Sequence, residues 1–200
     1  IEARGVVVCA GALATPVLLR RSGIERPGIG RGLQDHPSIA ITLALRQRQQ
    51  SAIRIGANVR TSSQNGIADV HVLSLNETDE SGMFGALIAG VMRVYSRGEV
   101  KYDEATGTGT AKFNSLSDER DKMAMRDAVR FAYEMASSQS MGNIADSLLS
   151  DADGTPAQWM SDASDAEIDD WVFRQVGAYS HAASSCAMGD GSDDMAVVSE

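Results

Sequence analysis

Residues 38–46, SIAITLALR, alternate without a break: Ile39, Ile41, Leu43 and Leu45 share one face, while Ser38, Ala40, Thr42, Ala44 and Arg46 share the other. Side chains in an extended backbone switch sides at every residue, so this spacing predicts a half-buried antiparallel strand. Such a strand needs neighbours along its edges and an apolar layer over one face. Further strand-like runs follow at IADVHVLSL (67–75), MFGALIAGVMRVYS (83–96) and GEVKYDE (98–104), with a turn at SSQNG (62–66). The covering layer is legible too. In 118–137, Met125, Ala128, Val129, Ala132, Tyr133 and Ala136 recur at helical spacing, with Ser117 as the expected cap. A second helix, SDAEIDDWVFRQVG (164–177), opens on the capping-box pair Ser164 and Glu167, presents Ile168, Trp171 and Val172, and stops at Gly177.

The first 37 residues have a different character. Val6, Val7, Val8 and Cys9 form a continuous apolar run of the kind that suits a parallel strand buried on both faces. A glycine turn follows, then a helix with Thr15 as N-cap, Pro16 at its first position and Gly23 at its end. RPGIGRGLQDHP (26–37) is too rich in Gly and Pro for regular structure. The expected fold class is therefore α+β: a mainly antiparallel sheet with helices on one face, preceded by a short piece of a parallel α/β domain, with the switch near residue 37. Ile1 opens almost directly on an apolar run and MAVVSE ends the sequence as another begins, so we expect a fragment of a longer protein.

Composition narrows the function classes. With 43% hydrophobic and 22% charged residues the chain is ordinary for a globular protein. Its net charge of -9 disfavours nucleic acid and gives no reason to expect an anionic membrane surface. No apolar run approaches the roughly 20 residues of a spanning helix, and no secretory signal is visible. Cys9 and Cys186 lie far apart and read as free thiols of a reducing, cytoplasmic setting. His36, His71 and His181 have no partner at ligand spacing, so no metal is expected. Neither GxGxxG nor GxSxG occurs.

The stretch GAYSHAASSCAMGDG (177–191) sets His181 among small residues and ahead of a glycine-rich loop. Taken alone, it is better explained by a structural histidine in a tight turn than by one with space kept for a substrate. Asp35-His36, before Pro37, reads by itself as local loop hydrogen bonding, and His71 and the methionines read as structural.

Three ordered stretches resemble the glucose-methanol-choline (GMC) oxidoreductases. GALATPVLLRRSGI (11–24) is similar to a signature of that family, GIGRGLQDHP (28–37) to the loop that follows it, and HAASSCAMG (181–189) to its histidine segment. RGEVKYDEATGTGTAKFNSLSDERD (97–121) looks like the approach to the main helix of the family's substrate domain. Glu25 and Gly32 depart from the glycine and asparagine usual there, and the middle section is short, as in the compact mycofactocin-associated dehydrogenases or a choline-dehydrogenase-like subgroup.

The resemblance implies an FAD enzyme that oxidises an alcohol carbon. His181 would take the hydroxyl proton as hydride goes to flavin N5, a task suited to a neutral imidazole near pH 7. It places Ala10, Gly11 and Ala12, at the turn after the first apolar run, and Asp35 and His36 next to the cofactor. It divides the chain into 1–37, the end of an FAD-binding domain, 38–180, a substrate-binding domain, and 181–200, a return carrying the histidine. It puts the main nucleotide fingerprint before Ile1 and a second catalytic His or Asn after Glu200. The partner would be a small alcohol, and the electron acceptor stays open. Two other readings stand beside it: a non-catalytic ligand-binding or interaction domain, and a metal-dependent hydrolase using Asp35, His36 and His181.

Overall fold

The computed structural model describes residues 2–48, 53–190 and 192–199. Ile1, Glu200 and Gly191, the last residue of the glycine-rich loop, lie outside them. In chain order the elements are α1 (Gly11–Arg21), β1 (Arg31–Leu33), β2 (Pro37–Leu45), β3 (Ile55–Thr61), β4 (Val70–Leu75), β5 (Phe84–Val91), β6 (Gly98–Asp103) and β7 (Thr108–Lys112). There follow α2 (Glu119–Ala136), the single turn α3 (Gln139–Gly142), β8 (Ala145–Leu149), a 3-10 turn (Ala157–Ser161), α4 (Asp165–Gln175) and β9 (Gly177–Ala178). They form two compact units. The first takes 1–35, 95–117 and 180–200, and the second takes 36–94 and 118–179.

The second unit is built on the alternating strand. In β2 the side chains of Ile39, Ile41, Leu43 and Leu45 are buried, as the period-2 pattern requires. β2 sits inside a six-stranded sheet of order β3-β4-β5-β2-β8, with β9 on its remaining stretch, and all of these pairings are antiparallel. Helix α2 lies on β5, β2 and β4, and α4 packs beside α2 and reaches β2. The α2 face toward the sheet is made of Ala124, Ala128, Ala132 and Ala136 around Met125 and Val129, all buried. The strand that α2 touches most, β5, alternates: Gly85, Leu87, Ala89 and Val91 share one face and Phe84, Ala86, Ile88 and Gly90 the other. The register sets Leu87 opposite Ile41 and Ala89 opposite Ile39, so the buried sheet face is branched and bulky where the helix face is small, and the two fill one layer between them.

The Ser164–Glu167 capping box starts α4, and Ile168, Trp171 and Val172 are its buried residues. Asp118 rather than Ser117 caps α2, by accepting from the Arg120 amide; either short polar side chain can satisfy an orphan N–H, and Asp118 stands one residue nearer. The sequence reading missed β1, β3, β7 and β8. β3 and β7 are almost wholly exposed, so they carry no apolar alternation to detect.

In the first unit, β1, β6 and β7 make a three-stranded antiparallel sheet, and α1 lies against β6 and β7. An apolar groove of about 540 Å³ runs between them, lined by Leu13, Val17, Val100 and Ala111 among others. Three local expectations fail here. No regular structure is expected in residues 26–37, yet β1 lies within them, its Arg31 and Leu33 opposite Glu99 and Gly98 of β6. Val6–Cys9 do not form a strand, and Val6 and Val7 are 81% and 88% exposed. A parallel strand is made by hydrogen bonds to its neighbours, and among the described residues none lies beside this run. Helix α1 also begins at Gly11, not after Thr15, so Pro16 lies inside it. Its end is the expected one: Gly23, at φ +74°, lets its own N–H reach Arg20 O at 3.0 Å and the Ile24 N–H reach Leu19 O at 3.0 Å.

The second unit yields a stability prediction. Trp171 is 1% exposed, meets Trp159 edge to face at 5.7 Å and donates its indole N–H to Asp151 Oδ1 at 3.2 Å. Trp171→Ala is expected to cost about 3–5 kcal/mol in urea unfolding followed by circular dichroism. Trp171→Phe, which keeps the ring but not the donor, is expected to cost clearly less. Equal losses would show that the indole hydrogen bond, not the packing, dominates.

Candidate active site

The first unit gathers three of the segments singled out in the sequence around one short strap, residues 180–185. Gln34 and Ala183 pair in both directions, N–H to carbonyl at 3.0 and 2.9 Å. One residue on, Asp35 is buried, 7% exposed, and its Oδ1 accepts the backbone N–H of His181 at 3.0 Å. Two residues back from Ala183, the His181 side chain is exposed, flanked by Ala182 and Ala183. The Ser184 hydroxyl donates to Gln34 Oε1 at 2.8 Å. The Ser185 carbonyl accepts from Gly30 N–H at 2.8 Å, and the Ser185 hydroxyl donates to the Ala12 carbonyl in α1 at 2.5 Å. The strap is thus tied to the loop before β2 by its backbone and to α1 by a side chain.

Its backbone is bent to do so. Ser180 and Ser184 take left-handed φ angles of +65° and +70°, one on each side of His181–Ala183. Such a conformation costs a non-glycine residue on the order of 1–3 kcal/mol, and the Ser184–Gln34 bond offsets part of it. Gly30 is needed for a similar reason: at φ +82°, a Cβ there would sit 2.1 Å from Val100 O, while its own carbonyl accepts from Val100 N–H.

Ala10, Gly11 and Ala12 form the start of α1. No side chain caps this end, no acidic residue stands in its first turn, and Gly11, at φ +72°, has nothing within 4 Å of where a Cβ would be. Its amide donors suit an anionic group such as a phosphate.

His36 belongs to the second unit. Its Nδ1 lies 3.0 Å from Val91 O, and its ring meets Tyr179 edge to face at 6.2 Å. The Tyr179 hydroxyl is 3.4 Å from His71 Nδ1, and burial pushes its phenol above the ordinary range. Asp35, His181 and Ala12 therefore share one network, while His36 is held in another with Tyr179 and His71. Gly30, Gln34 and Ser185 were not singled out from the sequence; Pro16, once placed inside a helix, is the signal that points to Ser185. Among the described residues no cluster of three or more His, Cys, Asp or Glu could hold a metal ion, and no helix is long and apolar enough to cross a membrane.

Comparison with known proteins places this geometry. Residues 94–200 match the model for the C-terminal part of the GMC oxidoreductases, and residues 1–38 match that for the N-terminal part. The chain belongs to the GMC oxidoreductase family. It is 28% identical to oxygen-dependent choline dehydrogenase 1 of Chromohalobacter salexigens over 247 aligned positions, covering 98% of this chain and 43% of that protein. It is 29% identical to the oxygen-dependent choline dehydrogenase of Ectopseudomonas mendocina, covering 98% of this chain and 42% of the other. Among solved structures it resembles pyridoxine 4-oxidase from Mesorbium loti, with a TM-score of 0.79 and 26% identity over 96% of this chain and 42% of that one. The chain thus spans about two fifths of the length of these relatives. The alignment with the first relative runs over 247 positions against the 200 residues of this chain, so that relative carries at least 47 residues with no counterpart here.

Both cysteines are free thiols; Cys9 is exposed and Cys186, next to Ser185, is half-buried. Burial raises the Cys186 thiol above its ordinary range. A raised thiol stays protonated, and so unreactive, to higher pH. Iodoacetamide at pH 8, read by peptide mass spectrometry, is expected to label Cys9 first and Cys186 slowly, with the gap closing as pH rises. Equal rates at pH 8 would contradict the burial of Cys186.

Proposed function

We propose that this chain is the substrate-side portion of an FAD-dependent oxidoreductase that oxidises an alcohol, with His181 accepting the hydroxyl proton. The observation that carries the reading is the placement of His181: an exposed imidazole followed by Ala182 and Ala183, on a strap whose backbone is held by buried Asp35. Residues 1–37 and 181–200 are assigned to the FAD-binding side and 38–180 to the substrate side. Residues 95–117, which pack in the first unit, move to the FAD side.

The start of α1 fits the cofactor, because its uncapped amides and the open space at Gly11 leave room and donors for a phosphate. Ala10, Gly11 and Ala12 would hold it there, with Asp35 and His36 adjacent. FAD, when bound, takes the hydride that leaves the alcohol carbon. Everything else falls to the protein. The His181 imidazole receives the hydroxyl proton, as a base whose ordinary pKa lies near neutrality can. Ala182 and Ala183 leave space beside it, and Asp35 fixes the backbone from which it projects. The relatives named for choline and pyridoxine suggest small hydroxymethyl or hydroxyethyl compounds as the substrate class.

In the full-length protein, His181→Ala is expected to retain FAD and to slow flavin reduction by an alcohol about 10²–10⁴-fold, measured anaerobically by stopped flow. Raising pH should recover part of the rate, since hydroxide replaces the missing base. A wild-type rate in His181→Ala would leave the histidine a structural residue.

A further inference from the structure

Pro16 stands inside α1 with no N–H to give. In an α-helix that N–H would meet the carbonyl four residues earlier, which is Ala12. The Ser185 hydroxyl donates to that same carbonyl at 2.5 Å, and Ser185 is only 1% exposed. The helix therefore leaves one acceptor open, and the histidine strap closes it. Ser185 lies four positions after His181, and between them Ala183 pairs with Gln34 while the His181 amide is held by Asp35. The distance from the first turn of α1 to His181 is thus set at one end by a side-chain hydrogen bond that exists because a proline interrupts the helix ladder.

We propose that Ser185 is a positioning residue for the oxidation: its hydroxyl, bonded to the Ala12 carbonyl left open by Pro16, sets His181 relative to the start of α1. The proposal rests on the reading of His181 as proton acceptor and of the α1 start as cofactor-adjacent. Ser185 touches neither substrate nor cofactor in this role. It acts through the strap.

The test uses the full-length, FAD-loaded protein carrying Ser185→Ala, Pro16→Ala or both. Three quantities are read: the urea unfolding midpoint, hydrogen exchange of peptides spanning 181–187, and anaerobic flavin reduction by whichever of choline, pyridoxine and benzyl alcohol reduces the wild type fastest. Ser185→Ala is expected to lower the midpoint, speed exchange in the strap and slow reduction about tenfold with KM little changed, the kinetic equivalent of one net hydrogen bond. Adding Pro16→Ala supplies a new N–H to the Ala12 carbonyl. The double variant should regain the midpoint but neither the slow exchange nor the rate, because the helix is repaired and the tether is not.

Single-variant midpoint losses that simply add would overturn the pairing of Ser185 with the Pro16 gap. Recovery of the rate together with the midpoint, or a wild-type rate in Ser185→Ala, would overturn the positioning role. His181→Ala measured alongside separates the two readings. If it too reduces at the wild-type rate, or if no alcohol reduces the flavin, the proton-acceptor reading has failed; the midpoint and exchange results still decide whether the tether exists.

Discussion

A buried carboxylate has to find donors, because water cannot reach it and an unsatisfied charge is costly there. Asp35 Oδ1 finds one in the backbone N–H of His181, across 146 positions of sequence. The strap follows from this contact. Once His181 is anchored by its backbone, its side chain is the part left facing outward, and the residues on either side must bend sharply to leave and rejoin. Ser180 and Ser184 make those bends, and Gln34, Gly30 and Ala12 receive the strap further along. The imidazole is thereby placed by groups that never touch it.

The second unit rests on a different constraint, that of a small-residue helix face meeting a branched sheet face. The alanine face of α2 leaves room for the larger side chains of the sheet, Ile39, Ile41, Leu43, Leu87 and Val91, all of them buried. Close-packed layers of this kind have few ways to rearrange.

Much of the second unit was legible in the sequence, for a simple reason: the signals that formed it are local and periodic. Ile39 to Leu45 alternate, and the α4 capping box lies within four residues. The first unit was legible only in part. Val6 to Cys9 read as a buried strand because apolar content was visible and the missing neighbours were not. Pro16 read as a helix start because proline favours that position; the compensating hydroxyl stands 169 positions away in the sequence, where no periodicity could reveal it. The histidine itself stood out only by resemblance, since an exposed side chain held through its backbone leaves no pattern in the residues beside it.

The two left-handed serines have a consequence for how the strap can vary. A backbone at φ near +65° to +70° admits glycine freely and asparagine or aspartate at modest cost, but it penalises the branched Cβ of valine, isoleucine or threonine. Positions 180 and 184 are therefore open to a narrow alphabet chosen by torsion rather than by chemistry, whereas Ala182 is free of that torsional filter. An engineer reshaping the floor beneath His181 has Ala182 as the adjustable site, with 180 and 184 serving as fixed hinges on either side.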